Sequence, residues 1–366
     1  MKRRRILKYA LMVLGAAVIV CGISGIVMVR TYIHKMNLVP GDAGSQTAGG
    51  MRNQRLEDGL TENGEAITGK AGDTGDTAPS RQSMGKPEED AGQAMDEKNL
   101  EYAKDKEVYN VLVIGCDSRK ALGSGRSDTM ILISVNKNKR KVIMTSFLRD
   151  IYLGIPDHGD NRLNAAYAYG GEELLIRTIE DNFKVDIDNY VAVDFYAFID
   201  AVDAIGGIEL DISEEEIPII NEYIKEMNYL NGMEEGDGLL VEPGNYVLNG
   251  KQTLGYVRNR YIGTDFERTN RQRIVLQKVF EKVKKSSLAE IKTLLDEVLP
   301  QITTNISEGR IMSLLFALPV YKNYTMEPWS IPVEGSYSLV KIRRMDVIGI
   351  DFDKNREELK QRVYGK

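Results

Sequence analysis

The stretch from Tyr109 to Asp150, YNVLVIGCDSRKALGSGRSDTMILISVNKNKRKVIMTSFLRD, constrains the fold more than any other part of the chain. Val111, Leu112, Val113 and Ile114 form an apolar run that stops at Gly115. Asp117 and Arg119 follow at once. Arg126 and Asp128 open a second run, Met130 to Val135. The polar turn Asn136 to Lys139 separates it from a third run that begins at Val142 and ends in Arg149 and Asp150. Short apolar runs bounded by Gly and polar turns suit buried strands. The order expected is strand, acidic turn, strand, hairpin, strand, basic turn. The charged residues then sit at strand ends, where loops on a rigid scaffold carry chemistry.

Downstream, helical and extended patterns alternate. Gly171 to Phe183 has helical spacing, Tyr190 to Val193 reads as a short strand, and Phe195 to Ile205 as a helix closed by Gly206-Gly207. Ile208 to Ile212 is a further strand, Glu214 to Leu230 a helix and Asn231 to Gly238 a loop. This alternation predicts an α/β domain with a mixed central sheet flanked by helices. A short helix from Asn249 is expected to run into an extended end, Tyr256 to Arg260, which would point Arg258 and Arg260 the same way. Thr264 and Glu267 form a capping box for a helix reaching about Lys285. On that helix Arg268, Arg271 and Gln272 share one face, Val275 and Val279 continue it into core, and Arg273 points to solvent. Leu288 to Lys366 holds two or three more helices. One is apolar, Ile311 to Val320 capped by Ser307, and one is a surface helix, Asp353 to Val363. Trp329 and Ile331 mark a strand.

The N-terminal side is of another kind. Lys2 to Arg5 is basic, and Ile6 to Val29 is almost wholly apolar, long enough to cross a bilayer as a helix. Positive charge before it places the N-terminus in the cytoplasm and the rest outside. No small-x-small cleavage site follows, so an uncleaved anchor is the expectation. The Gly-, Asp- and Ser-rich stretch that follows is expected to be a disordered tether. The organisation expected is a cytoplasmic tail at 1–5, a membrane helix at 6–29, a linker at 30–100 and one extracellular α/β domain at 101–366.

Composition removes several functions. With 48 basic and 54 acidic residues the net charge is −6, which argues against bulk nucleic-acid binding. Two cysteines, Cys21 and Cys116, and two histidines, His34 and His158, leave no thiolate or imidazole metal site and no triad. Nor is there a Walker loop, an H-E-x-x-H or a G-x-S-x-G. What remains is a pair of carboxylates, Asp117 and Asp128, and a surplus of arginines. Arginine holds phosphate through a planar fork and keeps its charge. Mg²⁺ takes one or two carboxylates and completes its shell with water and phosphate. These residues therefore suit a metal-assisted diphosphate site. They equally suit structural salt bridges and turn caps, and spacing alone leaves both readings open.

The segments NVLVIGCDSR, GRSDTMILISVN, SFLRD, RLNAAYAYGG, VDAIGGIEL, GYVRNR and DFERTNRQR, spread over roughly Asn110 to Phe280, together resemble the LytR-CpsA-Psr family of bacterial cell-wall enzymes. The resemblance implies one membrane helix and an extracellular α/β domain on a Gram-positive type of cell. It implies a phosphotransferase moving a glycopolymer, such as teichoic acid or capsule, from a polyprenyl-diphosphate carrier onto peptidoglycan. By the same resemblance Asp117 and Asp128 would hold Mg²⁺ (or Mn²⁺), and Asp117, Asp128 and Arg149 would be catalytic. Arg126, Arg149, Arg258, Arg260, Arg268, Arg271 and Gln272 would contact the diphosphate, with Arg119 and Arg271 the looser matches. Leu148 stands where the family often has Pro, and Cys116 where it has a small polar residue. A polyprenyl tail implies an apolar tunnel, for which Phe195 to Val202 and Ile311 to Val320 are candidate linings. A membrane-bound pyrophosphatase and a non-catalytic regulatory wall protein are the rival functions.

Overall fold

The computed structural model describes residues 37–38, 102–116, 125–287 and 298–365. The expected tail and membrane helix, most of the linker, Asp117 and Arg119 lie outside the described residues. Among the described residues no helix is long and apolar enough to cross a membrane.

In chain order the first elements are β1 (Asn37–Leu38), β2 (Val108–Cys116), β3 (Ser127–Asn136), β4 (Lys141–Phe147), β5 (Tyr152–Ile155), β6 (Gly159–Arg162) and α1 (Leu163–Phe183). Then come β7 (Asn189–Val193), α2 (Phe195–Ala204), β8 (Ile208–Ile212), α3 (Glu216–Leu230), β9 (Gly244–Leu248), α4 (Gly250–Arg258) and α5 (Asp265–Lys285). The C-terminal part carries β10 (Thr303–Thr304), α6 (Glu308–Tyr321), β11 (Thr325–Ile331), β12 (Tyr337–Ile342), β13 (Met345–Ile350) and α7 (Phe352–Tyr364).

The central sheet is mixed, in the order β1-β10-β7-β2-β3-β4-β11. β2, β3 and β4 form the antiparallel meander expected of the opening stretch, while β7 joins β2 and β11 joins β4 in parallel. Alternation along β2 sorts its side chains. Leu112 and Ile114 go into a core with α1 and α7. Val113 turns to the opposite face, toward α2 and α5. A second core joins α2, α3, α4 and α5 to the β8–β9 hairpin.

Several expectations change. Helix α1 begins at Leu163, not Gly171, and is broken at Gly170 and Gly171, whose dihedrals are non-helical. Residues 37–38, inside the expected linker, form a strand beside β10. Helix α7 lies on the surface as expected, with Lys354, Glu357, Lys360 and Gln361 exposed and Leu359 and Val363 buried in the first core on its inner face. The β5–β6 and β12–β13 hairpins are additional to the expected elements, and neither is strongly alternating in sequence.

Helices α2 and α4 touch backbone to backbone. A Cβ at Gly250 would lie 2.3 Å from the Ile199 carbonyl oxygen. Overpacking of this kind costs about 1–3 kcal/mol, so Gly250→Ala should lower the thermal midpoint by several degrees, readable by circular dichroism. Near the end of α1, Glu180 accepts a hydrogen bond from the Ile187 N–H at 2.8 Å. Burial pushes its carboxyl up to about 7. The folded state therefore binds an extra proton between the ordinary carboxylate range and neutrality. The associated stability is present below that window and is lost as pH rises through about 7. Glu180→Gln keeps the acceptor and removes the titration. Relative to wild type its urea midpoint should rise as pH goes from about 4.5 to about 7; a constant difference would refute this.

Candidate functional site: an ion-pair ring between three cavities

The site begins at an irregularity in the sheet. Gly115 pairs with Thr129 and Cys116 with Ser127, so Asp128 is the extra residue of a bulge. A bulge re-aims a side chain out of the alternating pattern. Gly115 permits it: a Cβ there would lie 2.9 Å from the Thr129 Cβ.

Asp128 meets two arginines. Arg149, just beyond β4, brings Nη1 to 2.9 Å from Asp128 Oδ1. Arg268, in the first turns of α5, brings Nη2 to 3.2 Å from Asp128 Oδ2. Both arginines also reach Asp265 Oδ1, at 3.2 Å from Arg149 Nε and 3.6 Å from Arg268 Nη1. The four side chains close a ring of alternating charge. Asp150 extends it, 3.4 Å from Arg149 Nε and 2.8 Å from Arg162 Nη1. Burial works to raise the Asp128 carboxyl, but Arg268 and Arg149 outweigh it and hold the group below the usual range. At Asp265 burial wins, and its carboxyl lies above that range.

Three cavities meet at Asp128. One of about 620 Å³ is lined by Arg149, Arg258, Arg260, Arg268 and Tyr223 as well. A second, about 340 Å³, adds Arg126, Arg162 and Asn164. Six guanidiniums therefore line the two polar cavities, against three carboxylates, Asp128, Glu222 and Glu226. The third cavity, about 230 Å³, is apolar. It starts at Asp128, Arg258 and Arg268 and runs between the sheet, at Val113 and Ile131, and helices α2 and α5, at Phe198, Val202, Val275 and Val279.

The arginines are held in place by the fold. Arg258 is the last residue of α4, which the Asn249–Gln252 capping box starts. Its guanidinium lies over the rings of Phe195 and Tyr223, 4.5 and 4.6 Å from their centroids, and 3.6 Å from Glu226. Such stacking fixes a planar cation without consuming all its donors. The capping box of α5 forms as expected, with Thr264 N–H donating to Glu267 Oε2 at 2.7 Å. Helix α5 thus starts beside the ring and offers Asp265 and Arg268 from its first two turns.

Three expectations about the arginines are corrected. Arg258 and Arg260 do not lie on an extended segment: Tyr256 to Arg258 is helical, because the capping box carries α4 that far. Both still line the larger polar cavity. Arg271 does not line the cavities. It is buried, its Nε 3.2 Å from Glu216 Oε1, and its Nη1 donates to the carbonyls of Asn259 and Ile262 at 3.4 and 3.2 Å. The i, i+3 spacing put Arg268 and Arg271 on one face, but a half-step of rotation sends Arg271 into the loop after α4. It braces the segment that carries Arg260. Gln272 lines the apolar cavity rather than the polar ones. Arg273, expected in solvent, is half-buried and bonds Asn270 Oδ1 at 2.9 Å. Of the two candidate tunnel segments, Phe195 to Val202 contributes, whereas in Ile311 to Val320 no residue with a described side chain lines the apolar cavity and Leu314 lines a separate cavity beside Tyr109.

Sequence reading missed Asp265, Asp150, Arg162 and Tyr223. Asp265 had a signal, an acidic residue in the first turn beside Arg268, but it was absorbed into the helix cap. Tyr223 had none, since it arrives from α3 through tertiary packing. Among the described residues no group of three or more His, Cys, Asp or Glu is placed to hold a metal ion. Asp128 does offer hard carboxylate oxygens, and a carboxylate has about four lone-pair sites, of which two guanidiniums leave some free. The site thus fits Mg²⁺ in donor type.

Comparison with known proteins gives a consistent result. Residues 74–361 match the model of the LytR_cpsA_psr family. Biofilm regulatory protein A of Streptococcus mutans is 33% identical over 262 residues, 66% of this chain and 62% of that protein. The polyisoprenyl-teichoic acid–peptidoglycan teichoic acid transferase TagU of Oceanobacillus iheyensis is 32% identical over 221 residues, 58% of this chain and 63% of that protein. Each match spans less than two-thirds of the relative's own length. The fold is similar to that of YwtF (TagT), a Bacillus subtilis protein solved with bound octaprenyl pyrophosphate lipid. The TM-score is 0.53 and the identity 23%, over 74% of this chain and 94% of that one. The sheet of mixed strand directions, the helices on its faces and the span of the family match agree with one another: the chain belongs to the LytR-CpsA-Psr family.

Proposed function

We propose that this protein is a phosphotransferase that moves a glycopolymer from a polyprenyl-diphosphate carrier to a hydroxyl of peptidoglycan. One observation carries the reading: polar cavities lined by six guanidiniums border an apolar cavity between sheet and helices, both sharing Asp128 with it and the larger also Arg258 and Arg268. A ligand that fits both must join an anionic head to a hydrocarbon tail. A diphosphate offers several anionic oxygens for several arginine forks at once. A prenyl chain gains about 0.8 kcal/mol for each CH₂ it buries. The octaprenyl pyrophosphate bound by YwtF and the teichoic acid transfer named for TagU are in keeping with such a ligand.

In the proposed reaction Arg149, Arg258, Arg260 and Arg268 hold the diphosphate, with Arg126 and Arg162 at the smaller cavity. The acceptor hydroxyl oxygen bonds to the phosphorus that carries the glycan. The bond from that phosphorus to the bridging oxygen breaks, and polyprenyl phosphate leaves with the electron pair. The hydroxyl proton passes to a carboxylate of the ring. Guanidiniums aimed at the phosphates before reaction offset the charge that builds on the leaving group. Asp128, together with Asp117, would hold Mg²⁺ or Mn²⁺, which when bound supplies further charge compensation on the phosphates. The apolar run at 6–29 would anchor the chain in the membrane that holds the carrier, with the domain outside the cell.

The test is to incubate the full chain with a polyprenyl-diphosphate sugar, Mg²⁺ and peptidoglycan fragments, and to follow glycan on the fragments. Free phosphorylated sugar without transfer would instead mark a hydrolase, and binding without turnover a regulatory protein. Asp128→Asn keeps the size and one acceptor oxygen, so the domain should stay folded while turnover falls at least about a hundredfold. Turnover at the wild-type level would remove Asp128 from the chemistry. Ala201→Phe places a ring in the apolar cavity that Ala201 lines. Its KM should rise for a long-chain polyprenyl donor and stay near wild type for a two-isoprene donor. Equal effects on both would show that the tail lies elsewhere.

A further inference from the structure

Two constraints on where the membrane lies meet at one edge of the sheet. The first is the tether. Asn37 of β1 is paired with Thr303 of β10, Thr303 with Ala192 of β7, and Ala192 with Ile114 of β2. β1 and β10 run antiparallel to β7 and β2. The chain before Asn37 therefore leaves toward the end of the sheet that carries Gly115 and Asp128. Seven residues, 30–36, separate Asn37 from the apolar run at 6–29. Even fully extended, that stretch reaches less than about 30 Å. A bilayer that holds the apolar run lies within that distance of the β1–β10 edge.

The second constraint is the tail. The apolar cavity follows α5 from Arg268 past Gln272, Val275 and Leu276 to Val279. At about 1.5 Å per residue, Val279 stands about 16 Å along the helix from Arg268. Val298 also lines the cavity. It precedes a single helical turn, Leu299–Gln301, that touches β1, and Gln301 Nε2 donates to Asp200 of α2. The cavity thus has a wall at the edge where the tether enters. Its volume, about 230 Å³, is below the roughly 300–1,000 Å³ of a pocket for a drug-sized molecule. It takes the first isoprenes of a polyprenyl chain. Exposing the remainder to water is costly, so that part stays in lipid.

We propose that this edge, with Tyr196 of α2 and the lysines that end α5, rests on an anionic bilayer surface, from which the donor's tail passes into the apolar cavity. The proposal rests on the anchor and on the transferase reading. Tyr196, one turn before Asp200, is 42% exposed, and tyrosine suits the interface between headgroups and hydrocarbon. On the last turns of α5, Lys278 and Lys285 are exposed, and Lys284 Nζ lies 5.5 Å from the Phe280 ring centroid. That stretch of helix carries one carboxylate, Glu281. Lys282 is turned inward and donates to the carbonyls of Ile205, Gly206 and Gly207, which ties the end of α5 to the end of α2. The three outward lysines have long stems that bring their ammonium groups to lipid phosphates. Helix α6 also exposes apolar side chains, Phe316 at 70% and Val320 at 56%. Its Arg310, however, lies over the ring of Tyr109, at the opposite end of β2 from Cys116, and the tether does not lead there.

The experiment uses the full chain reconstituted in vesicles of phosphatidylcholine, with or without phosphatidylglycerol, that carry a headgroup spin label. A fluorophore is attached at Glu281→Cys on α5 or at Ser313→Cys on α6, both exposed positions. Cys21→Ser removes the other reactive thiol, and Cys116 is buried. Quenching is expected at position 281, stronger with phosphatidylglycerol, and weak at 313. Lys278→Glu with Lys285→Glu, both at exposed positions, should abolish the gain from phosphatidylglycerol, as should high salt. Stronger quenching at 313 than at 281 overturns the proposal. So does quenching at 281 that neither the anionic lipid nor the charge reversal changes, and so does a chain that does not stay with the vesicles. The transfer assay is run on the same vesicles. Docking as expected without transfer leaves the membrane face standing and removes the transferase reading; transfer without quenching at 281 does the reverse.

Discussion

The site depends on the placement of one carboxylate. Asp128 is displaced from the strand pattern by a bulge opposite Gly115 and is bridged by Arg149 and Arg268 at 2.9 and 3.2 Å. Four like-charged neighbours of the kind found here, Arg149, Arg258, Arg260 and Arg268, would repel one another around an empty cavity. Asp128 and Asp265 let two of them approach. The ring then joins three parts of the chain distant in sequence: the β3 bulge, the end of β4 and the start of α5. An isolated surface pair would add little, but this ring is largely buried, with the Arg268 side chain only 6% exposed.

The same arrangement divides the protein's surface chemistry. Toward α3 and α4 the ring meets arginines steadied by Phe195, Tyr223 and Glu226. Toward α2 and α5 it meets the apolar face of the sheet. Toward the C-terminal hairpin it meets a charge-balanced groove. Surfaces of three kinds, cationic, apolar and charge-balanced, thus border one ring of ion pairs. Arg271, buried against Glu216 and two backbone carbonyls, contributes by bracing the loop after α4.

Much of the fold was legible because its signals are local. The apolar runs around Leu112, Leu132 and Ile143, with polar turns between them, fixed the meander. Thr264 and the Gly206-Gly207 pair marked helix ends through capping and turn chemistry. The site was legible in part for the same reason: Asp128, Arg149 and Arg268 stand where strands and a helix begin or end. The errors come from places where periodicity is a poor guide. Helical spacing could not separate Arg268, which reaches the ring, from Arg271, which turns into a loop. Nor could it separate apolar segments that line a cavity from those that do not. That distinction needs the packing partner, as the contrast between Phe198 and Leu314 shows.

By itself, then, the sequence determined the alternation of strands and helices, the helix caps, the supply of arginines and acids at element ends and the apolar run near the N-terminus. These follow from residue chemistry and spacing along the chain. Only the tertiary structure decided the bulge that turns Asp128 out, the closing of the ring by Asp265, the recruitment of Arg162 and Tyr223, and the division into guanidinium, apolar and charge-balanced cavities. Those depend on strand register and on contacts between separate elements, up to the 140 residues between Asp128 and Arg268, which no local pattern of side chains encodes.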